Sequence, residues 1–230
     1  INKGGILMMF TNNLLKSQVF AMAGGDGIAS DFLNTIERKI PKERLVELLE
    51  KEEIRSEDIF TRQESELEAF SVWGYSENDR NLQKYPVEKG DVIFITYKNA
   101  AVYLARVVAN IESKELDIIW AGKSTWRHKL LLKDVIKIFI PDPLHNKEAN
   151  KRKDFETFCL RNSFSPFRKS IPNIEAYYNN GIGFRDIIDK IDTYGNFQGS
   201  LRVQKSEEAI LEALHDYCLK VHFECIIKEV

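Results

Sequence analysis

The sequence predicts an α+β fold: a small, curved, mixed β-sheet or open barrel, flanked by helices and preceded by a helical N-terminal extension. Three observations carry this. Apolar residues keep a helical spacing to about residue 60, and after Ala69 they gather into short β-branched and aromatic runs. Turn residues, or polar stretches long enough only for short helices, separate those runs.

Taken along the chain, residues 1–27 close on Gly24-Gly25-Asp26-Gly27, a flexible punctuation. Phe32, Leu33 and Ile36 form the apolar stripe of a first helix, ended by Lys39-Ile40-Pro41. Pro41 suits the first turn of a second helix, with Leu45, Leu48 and Leu49 inward and Glu, Lys and Arg outward. Ser56 to Phe60 reads as another helix start. These segments mark residues 1–65 as an extension or connector.

Ala69 to Trp73 is strand-like, and the polar stretch Gly74 to Lys84 supplies a loop and a short helix. Gly90-Asp91 introduces the strand Val92 to Tyr97; Lys98-Asn99 turns the chain into a returning strand, Ala101 to Val108. Leu116 to Trp120 reads as a further β run. A polar turn leads to Trp126, and Leu130 to Ile140 is a strand stopped by Pro141-Asp142-Pro143. Lys147 to Leu160 and Gly181 to Ile191 read as helices, and Phe197 to Val203 as the closing strand. Ser206 caps a final helix through Leu219, with Glu207 and Glu208 in its first turn. The predicted domain spans residues 66–220, with 144–196 as a helical insertion and 221–230 as a tail.

Composition narrows the function classes. No window approaches the roughly 18 uninterrupted apolar residues of a membrane span, and Gly5 to Phe10 is too short for a signal segment. Three cysteines, Cys159, Cys218 and Cys225, show no CxxC spacing, so neither a disulfide framework nor a zinc site is expected and the cytoplasm is the default compartment. The net charge of −2 hides a polarity. Ile28 to Glu68 holds seven Lys/Arg against twelve Asp/Glu, whereas Trp120 to Lys169 holds twelve against five. One face can therefore be positive on a weakly acidic protein. Phosphate-loop, dinucleotide, HExxH and GxSxG motifs are absent, and the four histidines lie in no metal-ligand spacing. No catalytic residue, metal or cofactor is expected.

The aromatics say more. All three tryptophans fall between residues 73 and 126, and Trp120 and Trp126 flank a small polar turn. Turns lie at the surface, where a large indole needs a reason. Two indoles across a slot can sandwich a planar base, with stacking worth roughly 1–3 kcal/mol; the plainer alternative is that Trp73 and Trp126 plug the ends of a barrel.

The order of pieces from Phe70 to Pro141 resembles the YTH/EVE-like branch of the PUA superfamily, closest to the recognition domains of McrB-type modification-dependent restriction proteins. The residues that carry the likeness are Val72-Trp73-Gly74, then Glu88-Lys89-Gly90-Asp91-Val92-Ile93-Phe94, then Tyr103-Leu104-Ala105-Arg106-Val107. Leu116-Asp117-Ile118-Ile119-Trp120, the turn to Trp126, Ile138-Phe139-Ile140-Pro141 and the late Phe197-Gln198-Gly199-Ser200-Leu201 complete it. The resemblance implies a nucleic-acid-binding module that takes a flipped modified base, most often N6-methyladenine, into an aromatic cage. It would be the specificity part of a restriction or defence system whose motor or nuclease is elsewhere.

By position, the resemblance makes Trp73, Trp120 and Trp126 the cage, and Tyr75, Ser76, Asn78 and Asp79 the base-edge contacts. Lys123, Arg127, Lys129, Lys151, Arg152 and Lys153 would hold phosphates. The partner is nucleic acid, with modified DNA favoured over RNA. Two other readings stand beside it. One is a modification-dependent endonuclease with its catalytic part in residues 1–65 or 144–196. The other is an RNA-binding PUA-like module without a base pocket.

Overall fold

A computed structural model describes residues 17–23, 32–97, 100–120, 126–140, 184–188, 200–220 and 228–229. The strands are β1 (Val19–Ala23), β2 (Ile40–Pro41), β3 (Ala69–Tyr75), β4 (Val92–Tyr97), β5 (Ala100–Glu112), β6 (His128–Ile140), β7 (Ser200–Val203) and β8 (Lys228–Glu229). The helices are α1 (Lys42–Glu50), α2 (Ser56–Ile59), α3 (Arg80–Lys84), α4 (Phe184–Ile187) and α5 (Glu207–Lys220).

The strands hydrogen-bond in the order β2-β3-β6-β5-β4-β1-β7, with β8 pairing onto β6. Every pairing is antiparallel except β1 with β4. The result is an α+β fold on a mixed sheet that does not close into a barrel. Helix α3 follows β3 and reaches the far edge of the sheet, where Asn81 Nδ2 donates to Ser200 O at 2.5 Å.

Side-chain alternation divides the apolar residues between two faces. The inner face gathers Phe20, Ile93, Tyr103, Val107, Leu130 and Trp73, and is closed by Leu82 of α3 and by Val87. The outer face has two separate covers. Over Val19, Phe94, Leu104 and Ile136 lie Phe184 and Ile187 of α4 and Ile210, Leu211 and Leu214 of α5. Over Phe70, Val72, Val108 and Leu131 lie Leu45, Leu48 and Leu49 of α1 together with Ile59, Phe60, Leu116 and Trp120. Each such buried leucine contributes roughly 1.5–3 kcal/mol of transfer free energy.

These contacts correct the expected division at residue 66. The 1–65 segment is not an appendage: β1 lies inside the sheet between β4 and β7, and α1 covers half of the outer face. The sequence hides β1 because Val19-Phe20-Ala21-Met22 is buried throughout and shows no alternation. A buried ion pair ties this region to the other end of the chain. Arg106 of β5 meets Glu207 in the first turn of α5 at 2.5 Å and donates to Gly90 O at 2.8 Å, and Ser17 Oγ donates to the same Glu207 carboxylate.

Other elements shift in kind. Phe32–Glu37, where the first helix is expected, is a single turn of π-helix. Leu116 to Trp120 is not a β run but part of a 3₁₀ helix, Glu115–Trp120, which buries Leu116 and Trp120 at helical spacing. Ser113 Oγ accepts from Leu116 N at 3.2 Å, a local cap, and Glu52 accepts from Lys114 N at 2.7 Å across the fold; together they outweigh the β propensity of the two isoleucines. Helix α5 is capped as expected, with Ala209 N donating to Ser206 Oγ at 3.2 Å. Part of the expected tail pairs with the sheet, since Lys228 and Glu229 lie opposite Lys137 and Ile136. Of the 144–196 insertion only residues 184–188 are described; the helix expected over 147–160 lies outside the described residues. No described helix is long and apolar enough to cross a membrane.

Candidate nucleic-acid interface

Among the described residues, Trp73, Tyr75 and Lys129 lie at one end of the sheet, where β3 finishes, β6 begins and β5 finishes: Tyr75 pairs with His128, and Glu112 pairs with His128 on the other side. The three tryptophans, however, do not share one slot. Trp73 is 5% exposed and belongs to the inner core, while Trp120 is 6% exposed and belongs to the outer core beneath α1. The sheet itself stands between them. A cage made of all three is therefore corrected.

Trp126 behaves differently. It is 37% exposed, the most exposed indole of the chain. Its position depends on Gly74. A Cβ built on Gly74 would come within 2.7 Å of Trp126 Cγ and Cδ1, so the indole lies directly against the strand backbone. Gly74 follows Trp73, so the direction a side chain would take there is the outer one, the side of Phe70 and Val72. Glycine within a strand marks a close approach of this kind, and the Trp73-Gly74 pair was its only sign in the sequence.

Lys129 fixes the surroundings. It lies opposite Gly74 in the β3–β6 register and is fully buried. Its ammonium donates to the Trp126 carbonyl, pairs with Asp117 at 2.8 Å and sits 5.5 Å from the centre of the Trp120 ring. A buried charge is tolerated when it is paired in this way, and a desolvated cation over an indole gains further. Lys129 is thus a structural pin and not a phosphate contact. Arg127 is exposed, but its guanidinium is shared between Glu112 at 2.7 Å and Glu77 at 3.2 Å. Those bonds, led by Glu112, hold its pKa above the usual arginine value. Lys123, Lys151, Arg152 and Lys153 lie outside the described residues.

The four expected base-edge residues divide by role. Asp79 is the N-cap of α3, accepting from Asn81 N at 3.0 Å and Leu82 N at 3.2 Å. Ser76 Oγ accepts from Asn78 N at 3.2 Å, a local turn that leaves Asn78 exposed. Tyr75 stacks on His128, with ring centres 4.9 Å apart and planes 9° off parallel. Its hydroxyl meets Asn110, which donates from Nδ2 at 2.8 Å. Burial raises the phenol pKa, with Asn110 opposing and Asp79 and Glu112 adding to the rise. Asn110 and His128, the neighbours that hold Tyr75, are not singled out by the sequence; both sit in strands, and neither carries a motif. Among the described residues no group of three His, Cys, Asp or Glu side chains is placed to hold a metal ion.

No family model, no curated protein and no solved structure matches the chain.

Proposed function

We propose that the chain is a nucleic-acid-binding module that takes an extruded base against Trp126, in keeping with its resemblance to YTH/EVE-like modified-base readers. The carrying observation is the indole of Trp126, partly exposed and seated on Gly74 with its carbonyl held by buried Lys129. A flat, rigid apolar surface at a strand end suits stacking with a base, and stacking is worth roughly 1–3 kcal/mol. Trp120 supports that platform from within the core through Lys129.

A modified base, N6-methyladenine in DNA first, is the ligand to which the resemblance points. One methyl group supplies only about 0.8 kcal/mol by burial, so strong discrimination requires a polar partner for the base edge. Exposed Asn78 stands where the resemblance puts a base-edge contact. Phosphates would be held by Lys123, Lys151, Arg152 and Lys153 of the basic stretch. The specificity part of a restriction or defence system is the setting this implies.

Equilibrium binding to a panel of single-stranded and duplex oligonucleotides, with and without N6-methyladenine, tests the reading. Trp126→Ala is expected to weaken binding about ten-fold or more, with its melting cooperativity kept. Undiminished binding by that variant removes the platform; equal affinity for all members of the panel removes modified-base recognition.

A further inference from the structure

The inner face of β7, across the sheet from Trp126, carries two polar side chains with unmet hydrogen-bonding atoms. Ser200 and Arg202 are two apart on one strand and share a face, and their neighbours on β1, Met22 and Phe20, belong to the inner core. Ser200 is 4% exposed. Neither its Oγ nor Arg202 Nε, both buried atoms, has a hydrogen-bond partner among the described residues. Buried donors left unmade are costly and uncommon, and an absent ligand is one reason for them.

Two cations and one carboxylate surround these side chains. Arg202 lies over the Tyr85 ring at 4.9 Å, and Lys84 Nζ lies 5.0 Å from the same ring centre, so the two charges are within about 10 Å of each other. Helix α3, which supplies Lys84, is fastened to the strand by Asn81 on Ser200 O. Asp91 is the carboxylate that acts on Arg202, but its two oxygens already accept from Gln18 N at 2.7 Å and Glu88 N at 2.8 Å.

We infer that this seam between β7 and α3 binds a phosphate-class oxyanion, with Arg202 and Ser200 donating hydrogen bonds and Lys84 adding the second positive charge. A guanidinium, a hydroxyl and an ammonium from two different elements match a tetrahedral oxyanion with several acceptor oxygens. Either a free or terminal phosphate or the diester of a nucleic-acid backbone presents that chemistry. The inference does not depend on the Trp126 platform, which lies on the other face.

Thermal melts of the full chain in inorganic phosphate, against chloride at matched ionic strength, test it. The expected result is a saturable rise in Tm with phosphate alone. Arg202→Gln should weaken the response about ten-fold or more, and Ser200→Ala and Lys84→Met should weaken it too. If Arg202→Gln fails to fold, the other two variants carry the test. Equal responses to phosphate and chloride, or responses unchanged in every folded variant, overturn the inference. Competition by short single-stranded DNA with and without a 5′-phosphate identifies the source. Both compete if the site takes a diester, only the phosphorylated strand if it takes a terminal group, and neither if it takes free phosphate. Trp126→Ala should keep the full phosphate response, which separates failure of this site from failure of base recognition.

Discussion

Replacing Glu64 with Gln should loosen the attachment of the chain around residues 56–66 to the sheet, and the size of the loss can be worked from the contacts. Glu64 is 3% exposed. Its carboxylate meets Lys133 of β6 at 2.8 Å and Lys89 at 2.5 Å, and accepts from Thr61 N at 2.9 Å. Burial alone would raise its pKa, but the hydrogen bonds from Lys133, Lys89 and Thr61 outweigh it and bring the value from 4.5 down to about 2. A carboxyl whose pKa is lowered on folding stabilises the protein fully above its unfolded value and loses that contribution as pH falls toward the folded one. At most this is about 3 kcal/mol. Lys89 is 41% exposed, so solvent screening reduces the expected figure to about 1–2 kcal/mol. Urea unfolding of the wild type and Glu64→Gln at a series of pH values is the assay. The variant should be less stable at pH 7, and the gap should close as pH falls from 4.5 toward 2. A gap that stays constant over that range would refute the reasoning, because the lost stability would then come from shape and not from the ionised carboxylate.

Three further outcomes are expected. Gly74→Ala pushes a methyl into the Trp126 ring; it should shift Trp fluorescence and cost about 1–3 kcal/mol by overpacking, and unchanged spectra would place the indole elsewhere. Glu53 ends α1 with φ at 59° while Ile54 N donates to Leu49 O at 3.0 Å, a glycine position, so Glu53→Gly should stabilise by about 1 kcal/mol in the same urea assay; a loss of stability would contradict the left-handed cap. A fragment of residues 66–220 should fail to give a cooperative melt, since it lacks β1 and the α1 cover; a cooperative melt near that of the full chain would restore the boundary at residue 66.

Much of the sheet was legible because its strands announce themselves locally. Val92 to Tyr97 follows Gly90-Asp91, and Asp91 does accept from Glu88 N across that turn. The Ser206 cap and the leucine stripe of α1 were legible for the same reason: their signals lie within a few residues of the elements they specify. What escaped was long-range. Nothing near Val19 shows that its neighbours are Val92 and Val203. Which aromatics share a face was not legible, because spacing finds aromatics but not faces. Trp73 and Trp120 look equivalent in a list, and only the pairing of β3 with β6 and the 3₁₀ turn put them on opposite sides. Lys129 looked like any member of a basic run, and its burial follows from standing opposite Gly74.

The placement of β1 has a consequence for how the chain is made. On a ribosome Val19 to Ala23 emerges before either of its neighbours: β4 comes later, and β7 later still. Until Ser200 to Val203 has been synthesised, β4 or β1 presents an open, apolar strand edge, the kind of surface that pairs with the wrong chain. The most distant contacts must therefore close last and at the greatest loop entropy, which makes folding slow for a domain of this size. The Arg106–Glu207 pair, with Ser17 on the same carboxylate, joins β5 and the chain before β1 to the first turn of α5, so it can form only after β7 and the start of α5 have been made.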